Sequence, residues 1–577
     1  MPPFFIQNNQ DGFMDRPIKN KAVLALMVLA IGAAVFLVYS NTLTQTLVWD
    51  DHYYVKKFSL RFNSFESLFL PVDLEGAIMV FYRPMAGVSY LLDYSLWHEN
   101  HVGYHLTNLL LHMLNSLMLF MICLRLKVSL IAAFLGSMLF AVHPIHTESV
   151  SWISARLDLI AAAFVMLAFI CHAEYAKGDK KAVIPAVLFF SFALFSKEIA
   201  LAAVIVFALY EILIAKKKIG IMPYALYGLS ATIYFVMRYA YLSNSTVNIA
   251  FKPFTDILVL FFSATGFYFY KFIFPFNLSI YIAHIPNVPL FFILGAALFI
   301  ITALLYVKGR RIAAFLLSSF IVTLMPSVAG SFTTILSPPF AERYLYLPSA
   351  FLCIAASAGI VRFKPFGKYV LAAVLIVSGI AAFQRNDVWK SEALLWKDTI
   401  QKTEHWYPQI QYAGTLSSEG KYESSLRMLN NALDKAVKSG ASQKALSRIY
   451  NNIGQVHIKK GEQKASEGYF EKSLSLDETN PVPFYNLAEI MLYSAQQTNA
   501  GDRNSYLAKA EAYYKKALEN DPYFFEANLG IGKLYYKMGN FAESAKYYEK
   551  VLNAAPNTIY SAEALDALLQ PSMLKVK

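Results

Sequence analysis

Cysteine is scarce in this chain: 577 residues contain three, Cys123, Cys171 and Cys353, each inside an apolar run. Neither a disulfide framework nor a cysteine zinc site can be built from them, so they read as packing residues. Charge is scarce as well. Asp, Glu, Lys and Arg make up 16% of the chain against 56% hydrophobic and 15% aromatic residues, and the mean hydropathy of +0.41 is too apolar for an ordinary water-soluble protein. Glycine-rich phosphate loops of the Walker or Rossmann type are absent, which disfavours nucleotide-driven chemistry in the cytoplasm, and no serine-centred nucleophile motif occurs. Energy for a reaction must then come from an activated carrier or another protein. The formal net charge of +12 does not point to nucleic acid. Many Lys and Arg residues stand at the ends of apolar runs, where topology and anionic lipid headgroups account for them.

What is present is a succession of such runs. A bilayer core of about 30 Å needs ~20 apolar helical residues, somewhat fewer where an end snorkels. Eleven segments qualify: 22–40, 105–124, 128–147, 157–176, 182–196, 199–215, 220–242, 288–307, 312–328, 345–361 and 368–383. The run from Asp256 to Phe276 is rich in Phe and Tyr but contains Lys271 and ends at Pro275. It is expected to be re-entrant or interfacial, with rings at headgroup level. The first run follows basic residues without a small-residue cleavage site and reads as a retained span.

Basic clusters mark alternate gaps between the runs: Arg16/Lys19/Lys21, Arg125/Lys127, Lys177/Lys180/Lys181, Lys216 to Lys218, Lys308/Arg310/Arg311 and Arg362/Lys364/Lys368. Short loops rich in Lys and Arg stay in the cytoplasm. The other gaps carry Trp49-Asp50-Asp51, His143-Pro144-Ile145-His146-Thr147-Glu148, Lys197-Glu198 and Glu342-Arg343, so the reactive groups gather on the opposite face. The expected topology is a cytoplasmic N-terminus, eleven crossings and a C-terminal part outside. The membrane is the inner or plasma membrane if the source is prokaryotic, the endoplasmic reticulum if eukaryotic.

Charge becomes dense after about Phe383, which divides the chain into a membrane domain, 1–388, with a large first outer loop, 41–104, and a water-soluble domain, 389–577. Loops as long as 41–104 are usually functional. The soluble domain repeats. Gly420, Gly461 and Gly539 are each followed thirteen residues later by a leucine, and Tyr513-Tyr514, Ala517 and Pro522 recur as Tyr547-Tyr548, Val551 and Pro556 at an offset of 34. That is the tetratricopeptide period. Small residues such as Gly532 let paired helices approach, Tyr548 fills the gap, and Pro556 ends the second helix. The fold class is all-α: a polytopic helix bundle followed by an α-solenoid.

Several strings, in order, carry a resemblance: Phe81-Tyr82-Arg83-Pro84, Tyr104 to His112, His143 to Glu148, Ala155 to Leu159, Ser196-Lys197-Glu198 and Ala341 to Ser349. With the C-terminal repeats they resemble the transmembrane and tetratricopeptide-repeat-containing protein O-mannosyltransferases, a family with the polytopic glycosyltransferase C architecture. The resemblance covers nearly the whole chain. It implies transfer of a sugar, mannose or another hexose, from a polyprenyl-phosphate carrier to an acceptor hydroxyl on protein Ser or Thr. It also places the acidic pair of the first outer loop at the catalytic centre. The repeat domain here is shorter than in animal members, so the animal acceptor is not carried over.

Sugar transfer needs a base for the hydroxyl proton and stabilisation of the departing phosphate. By resemblance, Asp50 is the candidate base and Asp51 its supporting partner; close carboxylates repel, which raises one pKa. Arg343 can bind the carrier phosphate bidentately, with Lys197 as a second phosphate contact. Arg83, His143, His146, Glu148, Glu198 and Glu342 are candidate substrate contacts. His143, His146 and Glu148 are also possible ligands of a divalent metal, a weak signal because Pro144 breaks the helix there; no cofactor is firmly implied. Arg156 and Asp158 read as structural support, and His105, Asn108 and His112 as interhelical hydrogen bonding.

The leading expectation is a lipid-phosphate-sugar-dependent glycosyltransferase whose repeats recruit a protein acceptor. The alternative is a non-catalytic membrane-anchored repeat scaffold for envelope protein assembly, since such repeats bind partners generically. A transporter would carry charge along a pathway through the membrane, whereas here it gathers at one face.

Overall fold

The computed structural model describes residues 21–56, 68–69, 81–242, 252–332, 338–363, 366–554 and 559–570. Regular structure among them is helical, apart from one antiparallel bridge between Ile282 and Phe340. The chain forms two compact units, residues 1–55 with 81–395, and 56–80 with 396–577. Most of the expected outer-loop segment between 57 and 80 lies outside the described residues.

In the first unit the helices are α1 (Lys21–Tyr39), α2 (Asp51–Lys56), α3 (Pro84–Trp97), α4 (His101–Arg125), α5 (Leu130–Val142), α6 (Thr147–Ser151), α7 (Arg156–Lys177), α8 (Val183–Ser196), α9 (Ala202–Leu209), α10 (Ile221–Leu242), α11 (Phe254–Ile273), α12 (Val288–Val307), α13 (Arg311–Ala329), α14 (Tyr346–Ile360) and α15 (Gly367–Asn386). Local chemistry sets their ends. The Asn100 side chain accepts from the Val102 amide to start α4, and Ser129 accepts from Ala132 to start α5, each satisfying an orphan donor of the first turn. After α5, Pro144 breaks the run, and the segment to Ser151 turns by 46°.

By length and apolarity, nine helices among the described residues can cross a membrane, or ten if this bent pair counts as one span. The tally differs from the eleven runs read in the sequence at three places. It includes Phe254–Ile273, and it omits α8, only 14 residues long, and α10, whose apolarity is diluted by tyrosines and Arg238. Contacts at the helix ends show how α10 and α11 run. Tyr227, near the start of α10, packs on His172 in the last turns of α7, while Arg238, near its other end, reaches Glu198 beyond the end of α8. The helix therefore traverses the bundle. By contrast, the amide of Lys252, just before α11, donates to Phe332 beyond the end of α13 (3.0 Å), and Lys271, in the last turn of α11, lies 3.5 Å from Glu342 just before α14. Both ends of α11 thus lie at the end of the bundle where α13 finishes and α14 starts.

The crossing of α11 and α12 needs two glycines. A Cβ on Gly266 would sit 2.0 Å from the Phe291 carbonyl, and one on Gly295 would sit 1.9 Å from that of Phe262. Small residues of this kind let membrane helices approach closely.

The second unit is a series of antiparallel helix pairs: Trp406–Ser418 with Tyr422–Lys438, Gln443–Lys460 with Gln463–Leu476, Pro481–Gln497 with Ala500–Asn520, and Phe525–Lys537 with Phe541–Ala554. Gly420, Gly461 and Gly539, the glycines that mark the repeat, have φ of 76°, 85° and 76°. Each supplies the left-handed turn residue that ends a first helix. A Cβ on Gly532 would meet the Tyr548 ring at 2.7 Å, and one on Gly454 the Phe470 ring at 2.7 Å. Pro556 lies outside the described residues.

Candidate functional site

The site forms at one end of the bundle, where α1 and α8 finish and α4, α7 and α14 begin. After α1 the chain reaches Trp49, whose φ of 51° is left-handed, a conformation costing an L-residue roughly 1–2 kcal/mol. Its indole stacks on Trp152, centroids 5.0 Å apart and rings 6° from parallel. The acidic pair follows directly, one member buried and the other exposed.

Asp51 points inward and is fully buried. One carboxylate oxygen accepts from both the amide (2.8 Å) and the hydroxyl (2.6 Å) of Ser154, and the other accepts from the Val48 amide at 3.4 Å. Burial outweighs these donors and pushes its pKa from 3.8 to about 7. Asp50 is accessible, yet enough protein surrounds it to raise its pKa by desolvation, with the charge of Arg343 opposing the rise. One acid of the pair is therefore a structural anchor, and the other is accessible and within electrostatic reach of Arg343.

Arg343 is oriented on several sides. Its Nη1 donates to Glu148 Oε1 at 2.5 Å, its amide donates to Glu148 Oε2 at 3.1 Å, and its guanidinium lies 5.1 Å from the Trp152 ring and 5.4 Å from that of Tyr344. Glu148 is thus an orienting partner of Arg343. Lys197, at the extended C-cap of α8, lies 2.5 Å from Asp158 at the start of α7. Its ammonium feels the charges of Arg343 and Arg83, so the three cations converge.

Adjacency in the sequence suggested other pairings for some of these residues. Glu198 does not pair with Lys197; it bridges Arg83 (2.9 Å) and Arg238 (2.6 Å) and accepts from the Tyr234 hydroxyl at 3.1 Å. Arg156 and Asp158 do not pair with each other either. Arg156 is fully buried against Asp93 (2.6 Å), Asn108 and the Tyr104 carbonyl, and so is structural. Glu342 turns away from its neighbour Arg343, accepting from the Ser279 amide at 2.7 Å and lying 3.5 Å from Lys271. These contacts hold the loop before α14.

The histidines are committed as well. His143 pairs through Nε2 with the Phe272 carbonyl (3.0 Å) and accepts the Ile145 amide at Nδ1. His146 pairs with the Phe140 carbonyl (2.8 Å) and the Ser349 hydroxyl (2.7 Å). All four ring nitrogens are thus engaged, and Glu148 is held by Arg343. No group of three or more His, Cys, Asp and Glu among the described residues could hold a metal ion. Asn108 and His112 do bridge helices: Asn108 donates to the Val150 and Trp152 carbonyls, and His112 bonds Tyr346 and the Ala141 carbonyl.

Sequence reading missed Ser154, Trp152, Asp93, Arg238 and Tyr344. Arg238 carried a readable signal, since an arginine within an apolar run is a functional candidate by default. Ser154 carried none, because its importance arises only from the approach of Asp51, 103 residues away.

An all-helical bundle with several membrane-length helices and a charged site at one end, joined to a solenoid of helix pairs, defines a multi-pass membrane protein with a tetratricopeptide unit. Tetratricopeptide-repeat profiles match residues 447–480 and 507–568. The chain is similar to Protein O-mannosyl-transferase TMTC3 of Homo sapiens, 22% identical over 539 residues, covering 82% of this chain and 58% of that protein. It is also similar to TMTC3 of Mus musculus (22%, covering 82% and 57%) and to Protein O-mannosyl-transferase F38B6.6 of Caenorhabditis elegans (26%, covering 55% and 48%). The chain spans about half the length of the curated relatives it matches. Among solved structures, PilF of Pseudomonas aeruginosa matches at 15% identity and a TM-score of 0.25, over 47% of this chain and 96% of that one. The chain is thus similar to O-mannosyl-transferases of the TMTC type over much of its length and carries tetratricopeptide repeats in its C-terminal part.

Proposed function

We propose that the first unit is a glycosyltransferase that moves a sugar, mannose or another hexose, from a polyprenyl-phosphate carrier to a hydroxyl of a protein acceptor. The observation that carries this reading is the division of labour in the acidic pair: Asp51 is anchored by Ser154, while Asp50 is accessible and within electrostatic reach of Arg343. In the reaction, the acceptor oxygen attacks the anomeric carbon as the bond from that carbon to the phosphate oxygen breaks, inverting the configuration. Asp50 takes the hydroxyl proton. The negative charge left on the lipid phosphate is met by Arg343 and Lys197, fixed donors in a site of low dielectric, where such groups act most strongly. The names of the relatives, all O-mannosyl-transferases, support the choice of sugar and of a protein acceptor.

The repeat unit recruits the acceptor in this reading, and the site faces away from the cytoplasm because the basic gaps lie at the opposite helix ends. Incubating the purified full chain with a panel of polyprenyl-phosphate sugars tests the reading, with free lipid phosphate and glycosylated acceptor as readouts. No release from any donor would favour the scaffold. Reporter enzymes active only outside the cytoplasm should work when fused after Phe383 and fail after Lys218.

A further inference from the structure

Tyr344 stands at the centre of the cation cluster and takes no part in the proton transfer or charge neutralisation described so far. It is only 8% exposed, and its ring lies 5.8 Å from the Lys197 ammonium and 5.4 Å from the Arg343 guanidinium. The hydroxyl is within electrostatic reach of Arg343, Asp158, Glu148 and Arg83. Both nearby carboxylates are already taken, Asp158 by Lys197 and Glu148 by Arg343. Among the described residues the hydroxyl donates to no acceptor.

The ring is buried while the hydroxyl oxygen keeps contact with solvent, so a group that enters the site can reach it. The surroundings of the hydroxyl identify that group's chemistry. An acceptor oxygen seated between two cations and reached by a neutral O–H is an anionic oxygen, and a carboxylate or phosphate that enters the site completes the set. We propose that Tyr344 is a third, uncharged phosphate contact, donating its hydroxyl proton in a hydrogen bond to an oxygen of the lipid phosphate that Lys197 and Arg343 neutralise. This rests on the function proposed above and adds a residue to the same site. The ring contributes separately, since cation–π contact with both neighbours fixes the spacing at which they meet one phosphate.

Tyr344→Phe removes the oxygen and keeps the ring, so it separates the two contributions. The probe is a polyprenyl monophosphate without sugar, titrated onto the purified full chain in detergent, with binding read by calorimetry. A hydrogen bond to a charged group corresponds to roughly a 10-fold or greater loss of affinity when deleted. The expected result is therefore about 10-fold weaker binding in Tyr344→Phe, an unchanged melting temperature, and a further loss in Tyr344→Leu. Equal binding by the wild type and Tyr344→Phe would overturn the inference and leave the proposed function standing. A wild type that fails to bind any polyprenyl phosphate would overturn both. Binding needs no turnover, so a folded but inactive preparation serves equally well.

Discussion

Asp51 and Ser154, 103 residues apart in the chain, share a doubly donated contact: the amide and the hydroxyl of Ser154 meet one oxygen of the Asp51 carboxylate at 2.8 and 2.6 Å. The turn after α1 is thereby fastened to the segment just before α7, and the adjacent Asp50 stays accessible within electrostatic reach of Arg343.

Burial raises the folded-state pKa of Asp51 from 3.8 to about 7. Such a group favours the fold most when protonated. Its contribution is complete below the unfolded value near 3.8 and is lost as pH rises through about 7. Melting temperatures of the wild type should therefore fall between pH 5 and pH 8 relative to those of Asp51→Asn, which cannot ionise. Parallel melting curves for the two proteins across that range would show that the carboxylate stays ionised.

Asp50→Asn should leave the melting temperature within error and lower sugar transfer by at least about 100-fold, the lower range for removing a positioned base. Desolvation raises the Asp50 pKa, and a base works only when deprotonated. The acid limb of the wild-type rate profile is accordingly expected above the ordinary aspartate value, with activity falling as pH drops through it. Rates from initial-velocity assays at fixed donor concentration decide this.

Arg343→Ala strips a 2%-exposed carboxylate, Glu148, of its partner. An abandoned buried charge costs about 3–5 kcal/mol, so this variant should melt well below the wild type. The double variant Arg343→Ala with Glu148→Gln should recover much of that loss while remaining inactive. If the double variant is no more stable than Arg343→Ala, the pair is not coupled as its geometry indicates.

The contact of α11 with α12 offers a test independent of chemistry. Gly266→Val and Gly295→Val each place a side chain where a carbonyl oxygen lies about 2 Å away. Each should destabilise the first unit by about 1–3 kcal/mol, read as earlier loss of the membrane bundle on heating. The repeat unit should keep its protease resistance at the same temperature.

Much of the fold could be read directly because its signals are local. Apolar runs of membrane length announce most of the bundle, and Gly420, Gly461 and Gly539 announce helix ends that do adopt left-handed backbone. Lys271 and the proline after it led to a re-entrant or interfacial reading of α11, whereas its length and apolarity make it a candidate span. The strings containing Asp50, Lys197, Glu198 and Arg343 were conspicuous as charge in an apolar chain. Their pairings were not: neighbours in sequence, Lys197 with Glu198 and Glu342 with Arg343, turn to different partners.

Hydrophobic periodicity and turn chemistry act over tens of residues, so the order of amino acids is enough to establish the class of protein, the helical repeats and the gaps in which chemistry gathers. Packing of the helices settles the rest: which acid of the pair is anchored and which is accessible, which groups His143 and His146 bond, and that the Tyr344 ring lies near two cations. Those outcomes depend on contacts between segments separated by 39 to 203 residues. No local pattern encodes which of several nearby charges a carboxylate meets once the helices have packed.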